Sequence, residues 1–585
     1  PAASQAAEMT QETDLPAAPK AAGEKTYTEE TQLRAAAQAL ADASPAFAAL
    51  CVGEKEITLL TPEMELWHMP ILVDLMGGGM YEDQILAALR PVLEAVPLIV
   101  HGAKALFHQL HRFGLPVPQV QRDTMLGAYL LHTAQKGYSL PVSLATEYAL
   151  DAAEFPQPSA LDVYGMKLRQ DVRLENRGLT DLLETMEQPL TRVLYSMERE
   201  GFFVDVETLE QLSRQFSSQI EESRSQVYAL TNIPDFNLNS PKQLGEVLFD
   251  KLGLPAQKKN KSGTYSTEAE VLEGLIAYHP CIEPLLKYRK LSKLQSTYVE
   301  GLQKLRGKDG KVHTTFDQTA TVTGRISSLE PNLQNIPIRT EEGREIRRAF
   351  VAGEGNILLD ADYSQIELRV LAHLSRDESM CDAFRKGQDI HTRTAAEING
   401  VSMEDVTPDM RRAAKATNFG IVYGISGFGL ARNAGIARRE ADQFIARYFE
   451  RYPGVRRFMD DCVKQGYDTG YAQTMFGRRR ELFELRSSNR NVRNFGERAA
   501  MNTPVQGTAA DIIKLAMVQV AKRLEEEYPA AKLILQVHDE LVVECPIAIK
   551  DDVAKLLQNV MENVVQLEVP LVAEVSSGKD WEQAH

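Results

Sequence analysis

Five cysteines in 585 residues, none in a CxxC spacing, leave no zinc ribbon and no disulfide framework to build on. Cys51, Cys281, Cys381, Cys462 and Cys545 lie far apart and total an odd number. They read as small buried hydrophobes of a reducing cytoplasm. Long apolar runs are missing as well. No stretch approaches the roughly 18 residues a membrane helix needs, and the amino-terminal segment lacks a basic-then-apolar leader. Internal repeats are absent. A positive charge balance is absent too: 65 Lys and Arg against 81 Asp and Glu give −16, which on its own speaks against a polyanionic partner. Net charge decides little, however, because nucleic acid is gripped by local patches. Four such patches are present: Lys258, Lys259 and Lys261; Lys287, Arg289, Lys290 and Lys293; Arg347 and Arg348; and Arg478, Arg479 and Arg480.

What is present is ordinary for a globular protein, with 44% hydrophobic and 25% charged residues. The length calls for several domains, since single cores stop growing near ~250–300 residues. The chain opens on Pro1 rather than Met, which reads as a processed or cut fragment. Residues 1–30 have little to bury and read as a mobile tail. From about 46 to 178, strand-like pieces (AALCV, ITLL, LIV) alternate with helical ones, the rhythm of a small α/β domain. From 180 the pattern turns helical: TDLLETMEQPLTRVLYSMEREG stops at Gly201, and Ser240, Pro241 and Gly253 punctuate a further helix. Strand pieces follow Gly310 (KVHTTF, then ATVTG) and lead into NILLDAD. Residues 367–530 are mainly helical, and strands return at 533–545.

Two stretches carry the chemistry: LLDADYSQIELR at 358–369 and LILQVHDELVVE at 533–544. The first reads as a strand with Asp360 and Asp362 on one side of a period-2 pattern; the second as two strand segments with His538, Asp539 and Glu540 at or near their turn. A sheet assembled from both regions would bring Asp362 and Asp539 together. Such a pair makes an oxygen-ligand site for two Mg²⁺ ions, the usual equipment for phosphoryl transfer. Between them lies RRAAKATNFGIVYG at 411–424. Thr407, Pro408 and Asp409 form a helix start, and Arg411, Lys415, Phe419 and Tyr423 follow at four-residue spacing on one broad face. Cations there suit phosphates, and the rings suit a base or sugar. Less sharp are Gln334 and Asn335 in PNLQNIP, Gly324 and Arg325 in TGRISS, and Gln506-Gly507, which reads as preceding a helix capped by Thr508 or Asp511.

From about residue 180 to His585 the chain resembles the large fragment of bacterial family A DNA-dependent DNA polymerases. DADYSQIELR, RRAAKATNFGIVYG and QVHDELVVE resemble the three polymerase motifs, and TGRISSLEPNLQNIP and MNTPVQGTAADIIK match equally well. The resemblance implies a multidomain α/β fold of the right-hand type with an N-terminal ribonuclease-H-like 3′-5′ exonuclease-type domain at 31–178. It implies a thumb with a connecting helix at 179–305, a palm at 306–365 and 531–585, and fingers at 366–530. It also implies a 5′-nuclease domain upstream of Pro1, a bacterial cytoplasmic location at the nucleoid, and a monomer working in replication and repair.

By the same resemblance Asp362, Asp539 and the backbone carbonyl of Tyr363 bind two Mg²⁺ ions, for which Mn²⁺ can substitute. Glu540 is a third, lesser carboxylate. Arg411, Lys415 and His391 bind the incoming deoxynucleoside triphosphate, with Lys415 also the proton donor to pyrophosphate. Phe419, Tyr423, Gln365 and Glu367 line the nucleotide site, Glu367 closing the space beside the sugar 2′ position and Tyr423 acting as a gate. Arg325, Asn335, Arg498, Asn502, Gln506 and His538 face the primer-template DNA.

The first 180 residues depart from proofreading relatives. The first strand, AALCVGEKEITLL, has no DxE pair, and IVHGAKALFHQL lacks the later aspartate. No Tyr-x-x-x-Asp occurs between 46 and 178. The exonuclease-like fold is therefore expected without its catalysis. RRRELFEL at 478–485 departs where relatives carry an aromatic residue and a proline after the arginines. A single-subunit RNA polymerase shares the catalytic logic, but Glu367 speaks against it; a catalytically dead primer-template clamp is the rival of another class.

Overall fold

A computed structural model describes residues 15–72, 79–256, 265–338 and 340–585; Lys258, Lys259 and Lys261 lie outside them. Six strands, β1 (Gly23–Thr26), β2 (Ala48–Val52), β3 (Glu56–Leu60), β4 (Glu65–Pro70), β5 (Leu98–Val100) and β6 (Val120–Asp123), form one mixed sheet in the order β1-β4-β3-β2-β5-β6. Successive residues of β2 serve different cores, as a pleated strand covered on both faces requires. Leu50 packs with Ile57, Leu59, Ile85 and Leu86, whereas Ala49 and Cys51 pack with Ile99, Ala160 and Val163. The segment expected to be a mobile tail is partly built into this sheet. Within residues 15–30, β1 runs parallel to β4 as the sheet's edge strand, paired through its backbone despite four exposed side chains.

The helix Gln188–Glu200 ends at Gly201, as its sequence predicts. Gly201 has φ +62°, and a Cβ there would lie 2.7 Å from the His313 ring, so glycine is needed twice over. Strand β7 (Phe202–Val204) leads to the 26-residue helix Val206–Thr231, started by Asp205, whose carboxylate accepts from the Glu207 and Thr208 amides. This helix packs along Ile282–Leu294. At its far end Val227, Phe236, Leu244 and Leu248 form a separate small core, and Ser240 caps the short helix Pro241–Gly245. The arm thus carries its own apolar cluster at its tip.

Strands β8 (Lys311–Val312), β9 (Thr315–Asp317) and β10 (Ser327–Leu329) follow, with β9 paired to β10. ATVTG at 320–324, expected as a strand, is a turn. Thr321 Oγ1 donates to the Arg325 carbonyl (2.8 Å) and Gly324 takes φ +87°, so local bonds replace a ladder.

After β11 (Phe350–Val351) comes β12 (Asn356–Tyr363). Helices then fill the sequence to Glu527, interrupted by the hairpin β13 (Tyr471–Gln473) and β14 (Arg479–Glu481). Strands β15 (Lys532–Val537), β16 (Glu540–Pro546) and β17 (Ala573–Gly578) complete an antiparallel sheet in the order β15-β16-β12-β17. Segments some 170 residues apart in sequence therefore lie side by side, with Asp362 directly opposite Glu540. The helix Arg490–Glu527 runs through Pro504, so Gln506 and Gly507 sit inside it rather than before it. Thr508 and Asp511, read as caps, are buried interior residues. Gly507 gives the reason: a Cβ would lie 2.5 Å from Thr474 Cγ2, so the residue marks a close approach of the β13–β14 turn to the helix rather than a loop. No helix among the described residues is long and apolar enough to cross a membrane.

A buried ionic knot joins these parts. Arg478, expected in a surface patch, is fully buried, pairing with Glu187 and with Asp511 (2.7 Å), while Lys514 Nζ lies 2.8 Å from Glu187. Burial favours a neutral Glu187, but Lys514 and Arg478 outweigh it and hold its pKa to about 2. With the folded value depressed, its stabilisation is present above the ordinary carboxylate range and fades as pH falls toward about 2. Glu187→Gln, which leaves two cations sharing one carboxylate, is expected to cost about 3 kcal/mol in a urea-unfolding titration at neutral pH.

Candidate active site

Asp360 and Asp362 alternate with Ala361 along β12 and so share a face, which Glu540, opposite Asp362, shares too. Their fates differ. Asp360 is 2% exposed and lies 3.5 Å from His585 Nδ1, the last residue of the chain. Asp362, at the strand exit, is open to solvent. The backbone N–H of Tyr363 donates to the Asp539 carbonyl (3.2 Å), tying the end of β12 to the β15–β16 turn. His538 makes that turn with φ +50°, and Gln536 Nε2 donates to its carbonyl (2.6 Å).

These carboxyls act on one another. The protein wall around Asp362 and then the charges of Asp539, Glu540 and Asp360 push its pKa up to about 7. Asp539 is raised as well, by burial first, against the lowering pull of Arg325. Glu540, in contrast, is already paired. Its Oε2 lies 3.1 Å from His585 Nδ1 and its Oε1 3.7 Å from the buried Arg347 guanidinium. Asp360 and Glu540 hydrogen-bond the imidazole and raise its pKa to about 10. Arg347 is thus no surface patch: it is 1% exposed and stacks 3.9 Å above the Trp581 ring.

Among the described residues, the group whose ligand atoms lie close enough to hold one metal ion is Asp360, Glu540 and His585, all within 4.8 Å. That trio already has two cations, His585 and Arg347, set against its two carboxylates. Asp362 and Asp539 instead carry mutual repulsion with Arg325 as the nearby cation, so the uncompensated negative charge lies with them. Hard divalent cations bound by oxygen suit that excess.

The wall of the site is a three-residue contact. Glu367, in the first turn of the helix Ile366–Ser375, accepts from Arg325 NH2 (2.6 Å) and from the Tyr423 hydroxyl (3.1 Å). Arg325 is delivered by the 320–325 turn, which Tyr129 anchors through a 2.7 Å bond to the Thr321 carbonyl. A cavity of about 280 Å³ brings Arg325, Asn335, Glu367, His538 and Asp539 together. Gln365 precedes them with φ +56°, turning the chain from strand into helix.

The helix Pro408–Val422 starts as its sequence predicts, Thr407 Oγ1 accepting from the Met410 amide (3.3 Å). Arg411 is held by Asp389, its NH2 2.6 Å from Oδ2. Lys415 is exposed. His391 is buried, its Nδ1 against the Asn418 amide (3.0 Å); burial, only partly offset by the charge of Asp389, lowers its pKa to about 4, with Lys415 and Arg411 pushing the same way. It is a neutral hydrogen-bonding group. Phe419 stands 5.5 Å from its ring, and Tyr423 ends the helix half exposed. Asn502 lies at the crossing of this helix with Arg490–Glu527, its amide able to donate to the Arg498 carbonyl (3.0 Å). Arg498 is exposed and packs on Gly424; Gln506 lies three residues beyond Thr503 on the same helix. Asp389, Asn418 and His585 were not singled out by sequence, and Arg347 was read only as part of a basic patch. Their signal is their partners, which lie 22 or more residues away.

A family model described as DNA polymerase family A matches residues 206–583. The DNA polymerase I of Caldicellulosiruptor bescii is 46% identical over 488 residues, covering 83% of this chain and 57% of that protein. That of Geobacillus stearothermophilus is 54% identical over 405 residues, 69% of this chain and 46% of that one. The chain spans about half the length of the curated relatives it matches. Among solved structures, the POL domain of Pol1 from M. smegmatis in complex with DNA primer-template and dNTP superposes with a TM-score of 0.86 at 38% identity. That match covers 96% of this chain and all of the other.

Proposed function

The chain belongs to DNA polymerase family A, and from that premise we propose that it extends a primer 3′-hydroxyl along a DNA template, adding deoxynucleoside triphosphates and releasing pyrophosphate. The observation that carries this reading is the meeting of Asp362 and Asp539, brought from two distant segments to one end of one sheet with their charges uncompensated. Asp362, Asp539 and the Tyr363 carbonyl would hold two Mg²⁺, or Mn²⁺ in their place, and when bound the pair would make the 3′-hydroxyl a better nucleophile and offset charge on the leaving pyrophosphate.

The rest is work for side chains. Arg411 and Lys415 bind the triphosphate, the neutral His391 adds a hydrogen bond, and Lys415 donates the proton that pyrophosphate needs to leave. Glu367, locked between Arg325 and Tyr423, fills the space where a ribonucleotide would place its 2′-hydroxyl. Phe419 and Gln365 complete the nucleotide pocket, and Tyr423 is the gate. Arg325, Asn335, Arg498, Asn502, Gln506 and His538 face the primer-template, where N3 and O2 acceptors recur in every correct pair. In this reading residues 179–305 are the thumb, 306–365 and 531–585 the palm, and 366–530 the fingers. The reading is tested by primer extension with and without Mg²⁺, comparing deoxy- with ribonucleotides. Metal-dependent extension favouring deoxynucleotides is expected; no extension, or equal use of both, would overturn it.

The N-terminal sheet unit is read as an exonuclease-type scaffold without catalysis. Its buried Asp123 is occupied structurally: one carboxylate oxygen accepts from the Gly102 amide and the other from the Ala103 amide, both at 2.8 Å. Glu147 is likewise engaged, by Arg169 and Arg173. A 3′-mismatched primer is expected to stay intact on incubation with Mg²⁺. Metal-dependent shortening that survives Asp362→Asn would sink this assignment.

A further inference from the structure

The last helical turn of the chain is anchored in the core and holds a partly exposed final side chain, His585, against two buried carboxylates. Asp580 starts the helix Trp581–Ala584, accepting from the Gln583 amide (2.9 Å), and both Trp581 and Ala584 are fully buried. Gly578, at the end of β17, leaves room for this helix: a Cβ there would collide with the backbone of Gln583 and Ala584. Trp581 wedges between Phe202 and Phe350, with Arg347 stacked on it. The terminus is therefore fixed against the sheet that carries Asp362. It delivers one imidazole, His585, whose Nδ1 faces Glu540 Oε2 at 3.1 Å and Asp360 Oδ2 at 3.5 Å.

Glu540 has two places to go. It stands directly across the ladder from Asp362, on the same face, at a spacing where like charges repel. Turned toward Asp362 it would crowd the carboxylates of the site; turned toward Asp360 it leaves them clear. The contact with His585 selects the second. Without it, two buried carboxylates would share Arg347 alone, which lies 3.7 Å from Glu540.

We propose that His585 is a positioning residue for nucleotide addition, acting through Glu540 and Asp360 to hold Glu540 away from Asp362 and Asp539. This rests on the polymerase reading above, and extension by the unsubstituted chain in the same assay separates failure of the two. His585→Ala is expected to lower kcat for single-nucleotide addition by about tenfold or more, the usual effect of losing a group that orients an active-site ligand. The KM for the nucleotide and the Kd for primer-template by fluorescence anisotropy should change little, whereas the thermal midpoint should fall modestly in both His585→Ala and His585→Gln, since each removes a cation set between two buried carboxylates. His585→Gln, which keeps a donor in reach of both carboxylates, should recover most of the rate. In a crystal structure of His585→Ala, the Glu540 carboxylate should have turned toward Asp362. Three results would each overturn the proposal: an unchanged kcat, a loss of rate that tracks a fall in DNA affinity, or His585→Gln as impaired as His585→Ala.

Discussion

Asp539→Asn is expected to depress single-turnover nucleotide addition on the order of 10³-fold, because a charge that must face the reacting phosphate has been removed from a preorganised site. Primer-template affinity should stay within about threefold, since a neutral isostere adds no repulsion to the DNA backbone. The fold should not suffer. The turn is fixed through main-chain atoms, Tyr363 N–H on the Asp539 carbonyl and Gln536 on the His538 carbonyl, and asparagine keeps both. The carboxylate is a strain on the site: burial raises its pKa, and its charge helps raise that of Asp362. Removing it should let the Asp362 pKa fall from about 7 and leave the thermal midpoint equal or slightly higher. A variant that extends at a near-normal rate would remove Asp539 from the chemistry. One that loses activity only because it unfolds would place Asp539 among the structural residues.

How much of this was legible in the sequence depends on whether the signal was local. The helix Pro408–Val422 was, because Thr407, Pro408 and Asp409 are adjacent and each acts on the backbone beside it. So were β12, β15 and β16, whose apolar runs end in carboxylates. The distinction between Asp360 and Asp362 was also readable, since one lies inside the strand and the other at its exit. Burial of a cation was not. Arg347 and Arg478 look like surface charge in sequence, and what hides them is Trp581 and Glu540 in one case and Glu187 and Asp511 in the other. Pro504 misled in the opposite direction. A proline usually opens or breaks a helix, but here it is buried within one 38-residue helix that packs against several neighbouring elements. Residues 23–26 gave no apolar pattern at all, because an edge strand can be held by its backbone while every side chain stays exposed.

Lys415 separates charge from proton transfer. Lys415→Ala is expected to slow single-turnover addition by about 10²–10⁴-fold, the range for losing a positioned general acid. Alanine is the strongest helix former, so the helix Pro408–Val422 should hold. Its neighbours do not replace it as a proton donor: Arg411 serves the triphosphate as a charge while paired with Asp389, and Arg412 is turned to Asp409 on the exposed side. Lys415→Arg divides the two roles. It keeps a positive charge for the triphosphate, but a guanidinium cannot give up a proton at any working pH. Nucleotide affinity, read from the concentration dependence of the single-turnover rate, should therefore be largely kept in Lys415→Arg and weakened in Lys415→Ala. The maximal rate should be low in both. Full recovery of rate in Lys415→Arg would reduce Lys415 to a charge anchor, and an unchanged rate in Lys415→Ala would remove it from the reaction.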